Sequence, residues 1–351
     1  MESIYKQAIG IDCSKNELEV CYGQLDKDLC VNLKATNGFS NDAKGHKQLF
    51  SWADKLGGQG KELLFVVEAT GVYHQQLAYT LYEQGQSICV VLPSRASYFA
   101  KTLKVRTVTD RTACRALTTM GLEKNLDRWS PPHPLFAQLK QLTRERKRLK
   151  DQSTTLKNQR HAARTATGTL AGTLQRISAR LQLCKDHVTQ IEKEIKALIN
   201  SDQHIKQQFE YVCSIDGVAL ITAATVVGEA DGFTMVRNVR QLVSYAGYDV
   251  VQKQSGTSVR GAPRISKKGN SYIRRALYFP AITAVQHNQV MEGFHSRLHS
   301  RHKISMKAYT AVQRKLLVLI YTMWTKQEPY AEDYHQKKVE QSKSTAPHEL
   351  A

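Results

Sequence analysis

The stretch Ala8-Ile9-Gly10-Ile11-Asp12-Cys13-Ser14-Lys15 sets an apolar run against one carboxylate, Asp12, at its C-terminal end. A short run bounded in this way reads as a buried strand. An acid at the end of such a strand is either solvated or a ligand for a cation. A second run, Leu63 to Val67, ends on Glu68 in the same manner, and a third acid, Asp110, opens the segment DRTACRAL. Carboxylates at the ends of neighbouring strands repel one another, which is costly unless a cation sits between them.

Outward from that strand, Ala8–Asp12, Glu17–Tyr22 and Leu29–Thr36 read as a meander. A helix follows from Asn41 to Leu56, with Asn or Asp as its N-cap. Leu63–Glu68 and Ser87–Leu92 are Val-, Ile- and Leu-rich buried strands separated by an amphipathic helix, Tyr73–Gln84, and a further helix begins at Asp110. This order predicts an α/β, ribonuclease-H-like domain over residues 1–130. Hard oxygen ligands at its strand ends suit Mg²⁺ or Mn²⁺, and paired ions stabilise both the attacking and the leaving oxygen in phosphoryl transfer.

The chain has 351 residues, 41% of them hydrophobic, and a formal net charge of +19. That length suggests more than one domain, and an excess of positive charge this large calls for a polyanionic partner, with nucleic acid first. No apolar run spans a bilayer and no signal peptide opens the sequence, so the protein is expected to be soluble and cytoplasmic. The seven cysteines are scattered without a CxxC, which suits reduced thiols and argues against a structural zinc.

Four segments taken in order give a more specific reading: IGIDCSK with Asp12, VVEATGVY with Glu68, TVTDRTACRAL with Asp110, and QSGTSVRGAPRISKKGNSYIRRALYFPA, which contains Ser255. Together they resemble the DEDD-type transposases of the insertion-sequence "one-ten" family, with its "eleven-eleven" branch, related to pilin-gene invertases. The resemblance implies an RNA-guided DNA recombinase. Asp12, Glu68 and Asp110 would bind Mg²⁺, and Ser255 would form a phosphoseryl link to DNA. A structured noncoding guide RNA (a bridge or seek RNA) would pair with donor and target DNA, and the protein would act as a homo-oligomer, dimer or tetramer, at the bacterial nucleoid. The family expects a further acid, an Asp, three residues beyond Asp110, where this chain has Ala113.

Pro131, Pro132 and Pro134 mark a boundary, and residues 131–205 then read as a helical coiled-coil region. Leu135, Leu142, Leu149 and Leu156 recur every seven residues, with Arg144, Arg146, Lys147, Arg148 and Lys150 between them. A second seam runs through Leu170, Leu174, Ile177, Leu181, Cys184, Val188, Ile191, Ile195 and Leu198. It fits either a hairpin within one subunit or a coil joining subunits, and the resemblance favours the second. The basic faces, Arg144 and Lys147 among them, are expected to meet nucleic-acid phosphates.

Residues 206–325 read as a mostly helical transposase domain. CSIDGVALITAATVVGEADG resembles a helix-hairpin-helix, in which a glycine turn offers N–H groups to a phosphate or serves structure alone. A helix is expected over Phe233–Gly247. In the loop Gln254–Lys268, Ser255 precedes Gly256 and is followed by Arg260, Arg264, Lys267 and Lys268. On residues alone this is a phosphate-clamping loop in which Ser255 donates a hydrogen bond; the resemblance makes Ser255 the nucleophile, with Ser258 and Ser266 as alternatives. Arg274 and Arg275 are expected to hold phosphates. Helices are expected over Ala281–Gln286 and Lys307–Thr325, with Arg301, His302 and Lys303 in the loop between them, no histidines paired at ligand spacing, and a disordered tail over 326–351. Two other functions fit the same acids: a metal-dependent Holliday-junction-resolvase-like nuclease that dispenses with Ser255, and a nucleic-acid-binding scaffold whose catalytic site Ala113 has silenced.

Overall fold

The computed structural model describes residues 4–57, 60–103, 107, 109–252, 254–255 and 259–331. The chain divides into two units, Met1–Pro131 and Pro132–Ala351. The first contains β1 (Ile4–Cys13), β2 (Glu17–Asp26), β3 (Val31–Ser40), α1 (Ala43–Leu56), β4 (Leu63–Glu68), α2 (Gln75–Glu83), β5 (Ser87–Val91), α3 (Pro93–Thr102) and α4 (Asp110–Glu123). Its five strands lie in the order β3-β2-β1-β4-β5. β1 is antiparallel to β2 and β2 to β3, whereas β1, β4 and β5 run parallel. This is the ribonuclease-H-like order. The unforeseen α3 begins with Pro93 in its first turn, where a missing N–H costs the helix no hydrogen bond.

Alternation along the central strands feeds two cores. Ile9 and Ile11 of β1 join Phe65, Val67, Leu49, Leu77 and Leu81 on the face covered by α1 and α2. Ala8 joins Leu64, Val66, Leu117 and Met120 on the face covered by α3 and α4. On the second face two glycines let α4 approach the sheet at backbone distance. A Cβ on Gly10 would stand 2.3 Å from the Cys114 carbonyl oxygen and 2.3 Å from the Thr118 nitrogen. One on Gly121 would stand 2.7 Å from Val66 Cγ2. The Gly10 N–H donates to Thr118 Oγ1 at 3.0 Å, and that hydroxyl lies 2.7 Å from the Cys21 carbonyl oxygen and 2.9 Å from that of Cys114, either of which can accept it.

The second unit opens with α5 (Pro134–Thr165) and α6 (Ala171–Asn200). The seam residues Ile177, Leu181 and Cys184 are buried together with Leu156 of α5, so the apolar stripe is satisfied within one chain. Leu170 at its start is 74% exposed. Next come α7 (Gln203–Cys213), α8 (Leu220–Glu229), a single 3₁₀ turn, and α9 (Val239–Ala246), shorter than expected because Asn238 caps it. The roots of the α5–α6 hairpin share one core with these helices. The Trp324 ring meets Phe136 of α5, Phe209 of α7 and Phe233 of the 3₁₀ turn, edge to face at 5.3–6.1 Å.

The serine loop is built from four short strands. β6 (Val250–Val251) pairs with β9 (Arg264–Ile265), and β7 (Gln254–Ser255) pairs with β8 (Val259–Arg260). The chain then continues through α10 (Ser271–Ala276), α11 (Tyr278–His287), α12 (Gln289–His302) and α13 (Ser305–Lys326). α12 corrects two expectations. Arg301 and His302 form its last turn instead of a loop. The rings of His295 and His299, one turn apart, stack with centroids 6.0 Å apart. The tail beyond residue 331 lies outside the described residues. Among the described residues no helix is long and apolar enough to cross a membrane.

The close approach at Gly10 sets a stability prediction. Gly10→Ala forces helix and sheet apart and is expected to destabilise the first unit by about 3 kcal/mol in urea unfolding, at the upper end for overpacking. Gly293→Ala on α12 meets nothing within 4 Å and is expected to have the opposite sign, stabilising its helix by about 0.5–1 kcal/mol.

Candidate functional site

Parallel strands end on the same side of a sheet, and the register places Ile11 beside Val67. Asp12 and Glu68, one residue further along each strand, therefore emerge side by side. Both are half-buried. Asp110 is the exposed first residue of α4, whose start is fixed by reciprocal bonds. The Thr112 N–H donates to Thr109 Oγ1 at 3.2 Å, and the Thr109 N–H donates to Thr112 Oγ1 at 2.8 Å. Ala113, one turn along, is half-buried and shares the Asp110 side of α4.

Burial pushes the Asp12 carboxyl up from its ordinary value to about 6, and the neighbouring charges of Asp110 and then Glu68 push in the same direction. The three acids thus form one electrostatic group. Among the described residues no three side chains of ligating type stand close enough to enclose an ion. The donors fit a hard divalent cation nonetheless, since Mg²⁺ commonly takes one or two carboxylates and completes its shell with water and phosphate oxygens.

Asn41, which the sequence suggested only as a possible helix cap, ties the two acid-bearing strand ends together. Its Nδ2 donates to the Ser14 carbonyl oxygen at 2.8 Å, just beyond Asp12, and to the Tyr73 carbonyl oxygen at 3.0 Å, in the loop after Glu68. Its Oδ1 is then the acceptor facing His46 Nε2 at 3.0 Å. That assigns the Nε2–H tautomer to His46, a buried ring whose pKa burial lowers. The cap itself is Asp42, which accepts from the Gly45 N–H at 2.8 Å. His74, at the entry to α2, has a buried Nδ1 without a hydrogen-bond partner. These roles depend on contacts distant in sequence, which no local motif announces.

In the second unit Ser255 is exposed on β7, paired across the hairpin with Val259. Gly256 and Ser258 lie outside the described residues, as does the side chain of Arg260. Arg264, Lys267 and Lys268 are exposed, Lys267 with a left-handed φ of 54°. Ser266 is committed elsewhere, its hydroxyl donating to Asp249 Oδ1 at 2.6 Å.

Several cations expected at phosphates are held by protein groups. Arg144 clamps Glu229 through Nε and Nη2 at 2.6 and 2.8 Å and lies over the Tyr272 ring at 4.6 Å. Glu229 is fully buried and also accepts from Asn270 Nδ2 at 2.7 Å. The network joins α5, α8 and the start of α10. Arg274 donates to the Ala246 and Lys267 carbonyl oxygens at 2.6 and 3.1 Å, bracing the end of the serine loop. Arg146 pairs with Glu192, and Lys147 with Asp151. Arg275 stands 4.0 Å from Asp151 and is largely exposed. Gly217, in the suspected helix-hairpin-helix turn, has a φ of 83°, and a Cβ there would lie 2.6 Å from the Pro280 carbonyl oxygen, so that glycine is required for packing on α11.

Two family models match the chain: a DEDD transposase model of the IS110 group over residues 9–166, and the transposase IS116/IS110/IS902 family over residues 210–296. The chain is 25% identical to the pilin gene-inverting protein of Moraxella lacunata over 335 residues, 94% of this chain and 99% of that protein. It is 24% identical to the Moraxella bovis protein of the same name over the same shares. A Streptomyces coelicolor insertion element IS110 protein of 43.6 kDa is 26% identical over 159 residues, 45% of this chain and 38% of that one. Among solved structures, Thermus thermophilus RuvC matches 35% of this chain and 99% of its own, at 10% identity and a TM-score of 0.28.

The raised Asp12 pKa predicts the pH dependence of the ion-free protein. A carboxyl whose folded pKa of about 6 exceeds its unfolded value of 3.8 contributes stability that is fully present below the unfolded value and is lost as pH rises through the folded one. In EDTA, Asp12→Asn should therefore melt higher than the parent at pH 7.5, by on the order of a few °C, with the gain shrinking toward pH 4. Equal gains at both ends would show that Asp12 is not the group responsible.

Proposed function

We propose that this chain, which belongs to the IS110 family of transposases, is a DNA recombinase that cuts and rejoins donor and target DNA through a phosphoseryl intermediate. The observation that carries this reading is the placement of Asp12 and Glu68 side by side at the ends of parallel strands, with Asp110 near enough that its charge adds to burial in raising the Asp12 pKa. Asp12, Glu68 and Asp110 would hold a divalent ion, Mg²⁺ or Mn²⁺, which when bound supplies charge neutralisation at the scissile phosphate. Asn41 keeps the Asp12 and Glu68 strand ends at a fixed separation. Ser255 Oγ attacks phosphorus. Its O–H proton passes to a base, the Oγ–P bond forms, one P–O ester bond to a neighbouring sugar breaks, and the departing oxygen takes up a proton. Reversal of the step rejoins DNA without loss of the phosphoester. Arg264 and Lys267, exposed beside the serine hairpin, would meet the DNA backbone, with Arg260 and Lys268 of the same loop. A structured guide RNA selects the two DNA sites and draws on the +19 net charge for its affinity. The protein acts as a homo-oligomer, dimer or tetramer.

Covalency tests the nucleophile. With DNA carrying a trapped nick, the parent is expected to leave an adduct that survives denaturation, and Ser255→Ala to leave none. Peptide mass mapping separates attack by Ser255 from attack by Ser266. Normal cleavage by Ser255→Ala would transfer the reading to a resolvase-like nuclease with water as nucleophile.

Ala113 tests the acid site. A carboxylate there would stand beside Asp110 on one helix face, so Ala113→Asp is expected to raise strand cleavage with Mg²⁺ and guide RNA by on the order of a hundredfold. An unchanged rate would remove position 113 from the ligand set.

A further inference from the structure

Between Gly293 and Lys326 the sequence holds seven Lys and Arg residues, three His and no Asp or Glu. The structure folds this stretch into most of α12, a tight turn and α13. Some cations elsewhere in the unit are held by carboxylates, as in Arg144 with Glu229, Arg146 with Glu192 and Lys147 with Asp151. Among the described residues no carboxylate pairs with any cation from Arg297 to Lys315. Two of these cations are packed against an aromatic ring instead: Arg297 and Lys315 lie over Phe294 at 5.6 and 4.9 Å. Arg301, Lys303, Lys307 and Arg314 are exposed.

The turn adds a second feature. Lys303 takes a left-handed φ of 54° and its N–H donates to the His299 carbonyl oxygen at 2.7 Å, which ends α12 abruptly. Directly after it, Ile304 and Met306 are 48% and 54% exposed. Two apolar side chains are thus exposed at the turn of a helical hairpin, flanked in sequence by Arg301, His302, Lys303 and Lys307. Met291, Val312, Leu316 and Ile320 of the same pair are buried in the core.

We propose that the α12–α13 turn is a DNA-engaging wedge. Arg301, Lys303 and Lys307 hold backbone phosphates while Ile304 and Met306 press between base steps, as apolar side chains do in proteins that open and bend the minor groove. The charge favours a polyanion. The apolar area, two side chains at a tip, is too small for an interfacial membrane helix, which needs a continuous apolar face. The assignment rests on DNA being the substrate, though not on the acids or on Ser255.

The test uses the full chain in EDTA, so that binding is read apart from cleavage. The triple variant Arg301→Glu, Lys303→Glu, Lys307→Glu is expected to bind duplex DNA at least tenfold more weakly than the parent. Its slope of log affinity against log salt should be shallower by roughly 3, about 0.9 for each lost phosphate contact. The double variant Ile304→Ser, Met306→Ser is expected to keep the parent slope and to lose DNA bending, read by energy transfer between dyes at the duplex ends. All five side chains are exposed, and matching thermal melts confirm that the variants fold. Parent-like affinity and slope in the triple variant would overturn the proposal. So would charge-dependent binding to anionic phosphatidylserine vesicles with no charge-dependent binding to DNA. Loss of cleavage in Asp12→Asn or Ser255→Ala with hairpin-dependent binding intact supports the wedge, because binding and chemistry are then separate; retained cleavage by those variants strikes the catalytic reading alone.

Discussion

The acid site depends on the passage of α4 across β1 at Gly10. With no Cβ in the way, helix backbone and strand backbone come within hydrogen-bond reach, and Thr118 joins them by accepting from the Gly10 N–H and donating to a neighbouring carbonyl. Any larger residue would push α4 outward and carry Asp110 away from Asp12. The lock sits two residues before Asp12 on the strand and about two turns after Asp110 on the helix. Its short lever arms translate backbone packing directly into carboxylate position. Asn41 plays the complementary part from the loops, holding the chain beyond Asp12 and beyond Glu68 through one amide. Three like charges are thereby kept together against their own repulsion, which adds to burial in raising the pKa of Asp12.

The second unit is organised around a buried charge instead of a close backbone approach. Glu229 has no exposure, and removing a carboxylate from water is tolerable only where its lone pairs are met. Arg144 and Asn270 meet them, and because those partners come from α5 and the start of α10, the bond set fixes the end of the serine loop relative to the long hairpin. Arg274 finishes the task by bracing the Lys267 and Ala246 carbonyls. A single substitution at Glu229 would therefore be felt well beyond its own helix.

The positive charge has a corresponding division of labour. Part of it is consumed internally, in the pairs made by Arg144, Arg146 and Lys147. Among the described residues, Arg301, Lys303, Lys307 and Arg314 on α12, α13 and the turn between them face solvent without a carboxylate partner. Net charge is a statement about partners, but only the pairing of individual cations says which surface addresses them.

Much of the first unit was determined by the sequence alone. The apolar runs of β1 and β4, the acids closing them, and the prolines that separate the units are local signals, and local steric and hydrophobic rules suffice to interpret them. The short range of those rules is why the rest was hidden. A heptad seam is the same string whether its partner is another chain or α5, so only the folded hairpin decided that Ile177, Leu181 and Cys184 are covered from within. The Arg144–Glu229 contact spans 85 residues and the Gly10–Thr118 contact 108. Nothing near either residue encodes the other. An arginine's sequence neighbourhood gives its charge, whereas tertiary structure decides whether that charge is spent on a buried carboxylate or left to meet a phosphate.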